Sequence, residues 1–254
     1  MPSRQRQPEG PPPAPSVQKL RVRYARRGRM RFSSTRDFAR AIERALRRAE
    51  VPMAFSGGFH PHPKISYANG APTGTASEAE YFEISVTEPV VPGAVQRALD
   101  EALPDGLDVI DVVTAGPGSL ADRLEASDWL LTFRETSVSE LEEAVTAYLA
   151  CERAEVSRVF KTGPKTFDTR SAVVLMSVDV AEAESGPPCA ILRMVVRHTT
   201  PSVRPDDILT ALRAVSAFAP PVPPLVTRRA QGPLLDAGDG VADPLAADRE
   251  VDGS

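Results

Sequence analysis

Asp37–Glu50 reads DFARAIERALRRAE, and its apolar residues recur at intervals of three and four positions. They are Phe38, Ile42, Ala45, Leu46 and Ala49. This spacing predicts an amphipathic helix with one apolar face. Ser34 or Thr35 can cap its first turn through a side-chain oxygen, and Pro52 ends the pattern. The preceding Lys19–Ala25 alternates apolar and basic residues, which predicts a half-buried strand.

The rest of the first block follows the same order of strand, helix, strand, strand, helix, strand. It continues with short extended pieces at Met53–Phe55 and Lys64–Ala68, strands at Tyr81–Thr87 and Asp108–Ala115, and a helix at Pro92–Leu103. A second block has strands at Trp129–Arg134, Glu155–Lys161, Ala172–Asp179, Ala190–Thr199 and Leu225–Arg229, and helices at Ser139–Cys151 and Pro205–Ala217. The sequence therefore predicts an α+β protein of two tandem ferredoxin-like (split βαβ) sandwiches.

The domain boundaries follow from composition. Residues 1–16 contain six prolines and few apolar residues, so we expect a disordered Pro-rich tail. Residues 231–254 are rich in Asp, Gly and Ala, and we expect a disordered acidic tail there. The two domains are predicted at 17–117 and 124–230. A hinge is expected near Gly116–Leu124, where a Gly-Pro-Gly-Ser run interrupts the pattern.

Charge is distributed unevenly along the chain, although its net value is only −4. Residues 1–50 hold 14 basic and 4 acidic residues, whereas residues 230–254 hold one arginine and six acidic residues. A basic end on an acidic chain indicates a localised anionic partner. Segregation of charge without any partner is the alternative.

The polar face of the predicted helix is unusually rich in one charge. It carries Arg36, Arg40, Arg44, Arg47 and Arg48, and further arginines precede it, including Arg31. A solvated helix face usually mixes signs, because like charges at i,i+4 repel. A phosphate backbone would relieve this repulsion, so RNA or another polyanion is the preferred partner. An ordinary solvated face is the alternative.

Residues 56–64, SGGFHPHPK, are the second candidate for anion binding. Pro61 and Pro63 bias the two preceding histidines toward extended backbone, in which alternate side chains share one side. We expect His60, His62 and Lys64 to project together and to hold phosphate, with Ser56, Gly58 and Phe59 beside them. The alternative is a rigid connection whose histidines are merely exposed.

Four aromatic residues close in sequence could stack on unpaired bases, namely Tyr24, Phe32, Phe59 and Tyr67. Each of them could equally belong to the core. A metal site built from His60, His62 and His198 is a weaker possibility, because an HxH pair alone is common. No metal and no cofactor are therefore predicted.

No catalytic signature is recognisable, so enzyme activity stays open. In the run from Lys161 to Arg170, Asp168 is flanked by basic residues and could act as a general base. A basic hairpin with one ion-paired aspartate is the alternative that the pattern favours. The roles of Asp168 and His198 are left open.

Several short motifs together resemble one known family. They are Gly28-Arg-Met-Arg-Phe32, Ser34, Asp37, Arg40, Arg44-Ala-Leu46, Pro52, Ser56, Gly58-Phe59, Pro61-His-Pro-Lys64 and Glu78-Ala-Glu80-Tyr81. On these residues, over about 17–230, the chain resembles the bacterial radical-SAM-associated (radical-SAM-linked) proteins, a domain of unknown function. The segments 56–67 and 77–81 are the most specific part of the resemblance.

The resemblance implies an RNA-related role and possible partners, a radical SAM protein or a ribonuclease. Relatives commonly have Ser-His before the helix aspartate, whereas this chain has Ser34-Thr35-Arg36-Asp37. The chain lacks a CxxxCxxC motif, so it is not expected to be the radical SAM enzyme itself. We expect an RNA-binding accessory protein in RNA processing or modification. An RNA-modifying or RNA-cleaving enzyme using His60, His62, Lys64 and Asp168, or a protein-binding adaptor, are the alternatives.

Two further expectations concern location. Cys151 and Cys189 are the only cysteines and have no CxxC spacing, which favours a reduced, cytoplasmic setting. No run of about 20 apolar residues is present, so no membrane partner is expected.

Overall fold

The computed structural model describes residues 13–181 and 189–252. The chain is an α+β protein, as predicted, and it divides into two compact units. Of the disordered tail predicted at residues 1–16, residues 1–12 lie outside the described residues. No helix in the described ranges is both long and apolar enough to cross a membrane.

The first unit comprises the described chain up to Thr73, Glu80–Gly118 and the residues from Leu245 onward. Its elements are β1 (Gln18–Arg26), α1 (Thr35–Arg48), β2 (Ile65–Ala68), β3 (Ala76–Val86), α2 (Pro92–Ala102) and β4 (Leu107–Thr114). A short 3₁₀ turn, Gly28–Phe32, joins β1 to α1. The strand order is β4-β1-β3-β2, with β4 antiparallel to β1 and β2 antiparallel to β3.

The core of the first unit lies between this sheet and its two helices. Leu20 and Val22 of β1 pack with Ile42 and Leu46 of α1 and with Leu99 of α2. These are the apolar positions that the strand and helix periodicities select, and burial of such side chains is worth about 2 kcal/mol each. The predicted apolar face of α1 is confirmed.

The second unit comprises Gly74–Ala79 and Ser119–Pro244. Its elements are β5 (Ala126–Phe133), α3 (Val138–Ala150), β6 (Glu155–Phe160), β7 (Gly163–Asp168), β8 (Val173–Ala181), β9 (Cys189–Arg197), α4 (Pro205–Val215) and β10 (Leu225–Gly232). The strand order is β10-β5-β9-β8, with antiparallel neighbours. The first residues of β3, at Ala76 and Ser77, pair in parallel with β10. β6 and β7 form a separate two-stranded sheet, and β7 was not predicted.

The helices of the second unit begin where the sequence signals a start. Ser137 and Glu140 form a capping box at α3, each side chain bonding the other's backbone N–H. Pro205 occupies the first turn of α4, where its missing N–H costs nothing. Leu131, Leu192 and Met194 of the sheet are fully buried in the core of this unit.

The expected disordered acidic tail is wrong for residues 231–252. β10 continues to Gly232, Leu234 pairs with Val241, and α5 (Ala246–Asp252) follows. The reason is tertiary, because Leu245 and Asp248 are fully buried in the first unit. The predicted ranges 17–117 and 124–230 therefore leave out a C-terminal segment that the first unit includes.

Candidate nucleic-acid interface

The helix α1 is fixed at its start by the predicted cap. The Ser34 side chain accepts a hydrogen bond from the Asp37 backbone N–H at 3.2 Å, and its hydroxyl donates to the Asp37 carboxylate at 2.7 Å. Asp37 also lies in the first turn, where a negative charge complements the helix dipole. With the cap on one end and the buried face below, the polar face of α1 is held in a defined orientation.

The polar face of α1 consists of exposed arginines that have no acidic partner. Arg36, Arg40 and Arg44 are exposed, and none of their guanidinium groups forms an ion pair or hydrogen bond within the part of the chain that the structure describes. Arg48 is exposed too, and its guanidinium donates to the Ala102 carbonyl at 3.1 Å. This face, defined here as Arg36, Arg40, Arg44, Arg47 and Arg48, is called the arginine face.

The arginines before α1 divide into two groups. Arg21 and Arg26 are buried and Arg27 pairs with Asp108 at 2.7 Å, so these three do not extend the arginine face. Arg31 is half-buried, with its guanidinium carbon 4.7 Å from the centre of the Phe32 ring. The Arg31 Nε atom is buried without a hydrogen-bond partner among the described atoms. Arg21, Arg26 and Arg27 therefore form bonds within the first unit, although the sequence alone counts them in the basic end of the chain.

The segment 54–64 forms a short hairpin loop before β2. Phe55 and Pro63 form an antiparallel bridge, the Ser56 N–H donates to the His62 carbonyl at 2.8 Å, and the Lys64 N–H donates to the Ala54 carbonyl at 2.8 Å. The Ser56 hydroxyl accepts from the His62 N–H at 3.0 Å. Ser56 thus stabilises the loop, and Gly57–Pro61 form its tip.

The predicted anion-binding side chains of this loop are exposed. His60, His62 and Lys64 face solvent, as do Gly58 and Phe59. Gly58 has a φ of +117°, which a residue with a side chain would adopt only with strain. No hydrogen bond or ion pair within residues 13–181 and 189–252 joins the loop to the arginine face. The two candidate surfaces therefore belong to one unit, and among the described residues neither a hydrogen bond nor an ion pair links them.

Exposed aromatic side chains concentrate in the same part of the chain. Phe32 is 60% exposed, Phe55 44%, Phe59 61% and Tyr67 39%. All exposed aromatic rings of the described residues lie between Phe32 and Tyr67, in the first unit. Tyr24, by contrast, belongs to the core, stacked on Phe38 at 5.0 Å. Phe55 was missed because the sequence offers no signal that separates it from a core residue.

Tyr67 connects this region to α1. Its ring lies edge-on to Phe38, with 5.6 Å between centroids. Partial burial raises the pKa of the Tyr67 hydroxyl, and the Glu43 carboxylate raises it further. Tyr67 is therefore a neutral, partly exposed ring beside the helix that carries the arginine face.

Asp168 is a structural residue. Its carboxylate accepts hydrogen bonds from the backbone N–H groups of Ala154, Arg170 and Ser171, at 2.9, 3.0 and 3.1 Å. Burial is the largest single effect and by itself would raise the pKa of Asp168, but the hydrogen bonds from Ala154, Ser171 and Arg170 together outweigh it and lower that pKa. A carboxylate held ionised by three backbone donors is a poor general base, which favours the hairpin alternative, but among the described residues Asp168 is held by backbone N–H groups and not by the expected ion pair.

Both ring nitrogens of His198 have hydrogen-bond partners within the fold. Its Nδ1 lies 2.6 Å from the Leu124 carbonyl and its Nε2 lies 2.8 Å from the Ser127 hydroxyl. Burial lowers the pKa of His198, and the nearby Arg228 adds to this effect. His198 belongs to the second unit and the other two histidines to the first. The described residues contain no group of three or more His, Cys, Asp or Glu side chains suited to a metal ion.

The segment 77–81, specific in the resemblance, is buried. Ser77, Glu80 and Tyr81 have at most 2% of their surface exposed. Both oxygens of Glu80 accept from the Ala71 N–H, at 3.3 and 3.1 Å, and the Arg26 guanidinium donates to the Ala71 carbonyl at 2.8 Å. This part of the sequence therefore shapes the 69–74 loop, and of its two carboxylates Glu80 is buried and Glu78 is partly exposed.

Fold and surface together define an α+β protein with two compact units and an unpaired arginine face in the first. The chain belongs to a bacterial family described as uncharacterized protein conserved in bacteria (DUF2344), which matches residues 19–205. The expectation of a bacterial domain of unknown function is confirmed. No curated protein matches the chain.

Several solved structures show a distant likeness. An unknown protein from Galdieria sulphuraria is 16% identical over 78% of this chain and 91% of its own, with a TM-score of 0.24. DyPB from Rhodococcus jostii RHA1 is 13% identical over 80% of this chain and 84% of its own, with a TM-score of 0.23. Ferric DtpA from Streptomyces lividans is 11% identical over 86% of this chain and 88% of its own, with a TM-score of 0.23. Likenesses this distant carry no functional argument.

Proposed function

We propose that this protein binds RNA through the arginine face of α1 and the 54–64 loop, as a non-enzymatic accessory factor in RNA processing or modification. The proposal includes a cytoplasmic setting and a radical SAM protein or a ribonuclease as its partner. The observation that carries it is the set of exposed arginines with no acidic partner, Arg36, Arg40 and Arg44. We further propose that each unit is a ferredoxin-like sandwich, since both strand orders follow the same arrangement, β4-β1-β3-β2 and β10-β5-β9-β8.

Physical chemistry favours a phosphate backbone for the arginine face. Like charges at i,i+4 on one helix are unfavourable by about 0.2–0.5 kcal/mol per pair, and the described chain offers no carboxylate bonded to them. Guanidinium groups bind phosphate oxygens through paired N–H donors. An RNA backbone brings the missing negative charge, and its condensed counterions are released on binding.

The exposed aromatic rings favour unpaired RNA over a duplex. Phe32, Phe55, Phe59 and Tyr67 offer exposed ring surfaces in the same unit as the arginine face. Stacking of bases on such rings is tolerant of sequence and worth about 1–3 kcal/mol per base. A duplex keeps its bases stacked on each other and would leave these rings unused.

The test reverses charge on the arginine face. The variant Arg36→Glu/Arg40→Glu/Arg44→Glu is expected to bind a single-stranded RNA oligonucleotide about a hundredfold more weakly than wild type at ~0.1 M salt. The slope of log affinity against log salt should fall by about 2, because each lost phosphate contact removes about 0.7. Fluorescence anisotropy over a salt series measures both quantities.

The matched control is Arg134→Glu/Arg197→Glu/Arg213→Glu, which makes the same change of charge at three exposed arginines of the second unit. It should keep most of the affinity. Equal losses in the two variants would show that net charge, and not the arginine face, governs binding. Retention of wild-type affinity by the first variant would rule out the proposed interface.

A further inference from the structure

The β6–β7 hairpin of the second unit is a rigid projection. It forms its own two-stranded sheet, separate from the large one. At its base, Asp168 accepts three backbone N–H groups, and the Thr169 hydroxyl donates to the Ala154 carbonyl at 2.8 Å. The Tyr148 hydroxyl in turn donates to Thr169 at 3.1 Å. The hairpin is therefore held in place before any partner binds, which lowers the entropic cost of binding.

One face of the hairpin is an internal stack of rings around a cation. The Arg158 guanidinium carbon lies 4.6 Å from the centre of the Phe160 ring and 5.0 Å from that of Phe167. Arg158 also forms an ion pair with Asp207 of α4 and donates to the Ser202 carbonyl at 2.9 Å. The charge of Arg158 is thus neutralised within the fold, and this residue serves to anchor the hairpin.

The remaining cations of the hairpin have no such partner. The run from Val156 to Phe167 contains no Asp or Glu. Lys161 and Lys165 are exposed, and neither forms an ion pair within the described parts of the chain. Lys165 Nζ lies 5.7 Å from the centre of the Phe160 ring, so its stem follows the hairpin surface. Two exposed hydroxyls, those of Ser157 and Thr166, lie 2.7 Å apart between the strands.

These features suit the backbone of a nucleic acid better than a protein surface. Lysine is depleted at the core of protein–protein interfaces, whereas it is a common point-charge ligand of phosphate. Serine and threonine hydroxyls also donate to phosphate oxygens in nucleic-acid complexes. A surface with cations and hydroxyls but no carboxylate is complementary to a chain of phosphates.

We propose that the β6–β7 hairpin is a second phosphate-binding surface, contacting single-stranded RNA through Lys161 and Lys165. This inference rests on the proposed function and adds a contact in the second unit to the one assigned to the first. The hairpin binds the backbone and carries no sequence preference, because its contacts are to phosphate.

The test removes the two lysine charges without inserting new ones. Lys161→Ala/Lys165→Ala is expected to weaken binding of a single-stranded RNA oligonucleotide about tenfold at ~0.1 M salt and to lower the salt slope by about 1.4. Lys161→Arg/Lys165→Arg keeps the charge and should keep the affinity. Arg134→Ala/Arg197→Ala, the matched removal of two exposed cations of the same unit, should change the slope little.

The outcomes separate this inference from the proposed function. Failure of the wild-type protein to bind RNA at low salt overturns both. If wild type binds and the α1 variant loses affinity while Lys161→Ala/Lys165→Ala keeps the wild-type affinity and slope, only the hairpin inference is overturned. A third outcome is that Lys161→Ala/Lys165→Ala binds RNA like wild type but loses a protein that co-purifies with wild type even after nuclease treatment. That result assigns the hairpin to protein binding and also overturns the hairpin inference.

Discussion

Arginine is used in two opposite ways within the first unit. Arg21 of β1 has no exposed surface, and its guanidinium contacts both oxygens of Asp248 at 2.7 and 2.8 Å and Glu83 at 3.0 Å. Its Nη2 donates to the Gly118 carbonyl at 2.6 Å. Arg36, Arg40 and Arg44 of α1 are exposed and have no acidic partner among the described residues.

The difference teaches which cations belong to the fold. A buried charge is tolerated only when it is paired and hydrogen-bonded, so the carboxylates near Arg21 are fixed by structure. An exposed charge is solvated by water and needs no partner in the fold, so it remains available to form an ion pair with a ligand. Of the charged groups in this unit, the paired ones therefore govern stability and the unpaired ones are the candidates for binding.

The largest expected effect comes from removing a buried partner. Asp248→Ala should lower the free energy of unfolding by about 3–5 kcal/mol, because Arg21 then keeps only one carboxylate in a buried position. Asp248 also accepts from the Gly116 N–H at 2.9 Å, and a Cβ at position 116 would lie only 2.7 Å from its Oδ1. Urea unfolding followed by circular dichroism measures the change.

Asp111→Ala, a change in β4, is the matched control for a contact with the same C-terminal helix. Asp111 pairs with Arg249 of α5 at 2.6 Å, but both side chains are partly exposed. Its loss should cost at most about 1 kcal/mol, as is usual for surface pairs. Similar losses in the two variants would contradict the distinction between buried and exposed cations.

The contrast between exposed and buried side chains also applies to aromatic rings. For the exposed ring, the expected loss of RNA affinity is smaller than the loss of stability in Asp248→Ala. Phe59→Ala should weaken RNA binding by about 1–3 kcal/mol, the usual value of one stacked base, and leave stability unchanged. Phe38→Ala should instead destabilise the fold by about 3–5 kcal/mol, because that ring is buried against Tyr24. Anisotropy and urea unfolding of both variants check this; full RNA affinity in Phe59→Ala would remove stacking from the proposal.

The elements predicted correctly are those with strong local signals. β1 and α1 form where their periodicities predict them, although β1 is buried on both faces, and α3 follows its capping box. β7 was missed because Gly163–Asp168 has no apolar alternation, and it is a strand only through its pairing with β6. α5 was missed because its sequence, AADREVD, is polar and is fixed in place by the Arg21–Asp248 pair. Long-range pairing of this kind leaves no local signal.

The candidate site shows the same limit. The sequence identified the arginine face, since helical periodicity alone assigns residues to faces. It could not separate Arg21 from Arg23, because strand alternation assigns both to the polar side. The burial of Arg21 depends on partners far along the chain, namely Glu83, Gly118 and Asp248. It could not show that Phe59 is exposed and Tyr24 buried, since composition does not report packing.

The smallest expected effect concerns the buried imidazole. Burial lowers the pKa of His198, so the folded protein holds the neutral ring while the unfolded chain takes up a proton near its ordinary value of about 6.5. Stability from this group is therefore complete above that pH and is lost as the pH falls toward the lowered folded pKa.

Replacing the ring by an uncharged amide should make the fall in unfolding free energy between about pH 7 and pH 5 shallower. His198→Gln and wild type are compared by urea unfolding across this range, with Arg197→Gln, an exposed neighbour, as the control. Identical pH dependence in wild type and His198→Gln would mean that the ring, despite its bonds to Leu124 and Ser127, is free to be charged in the folded state.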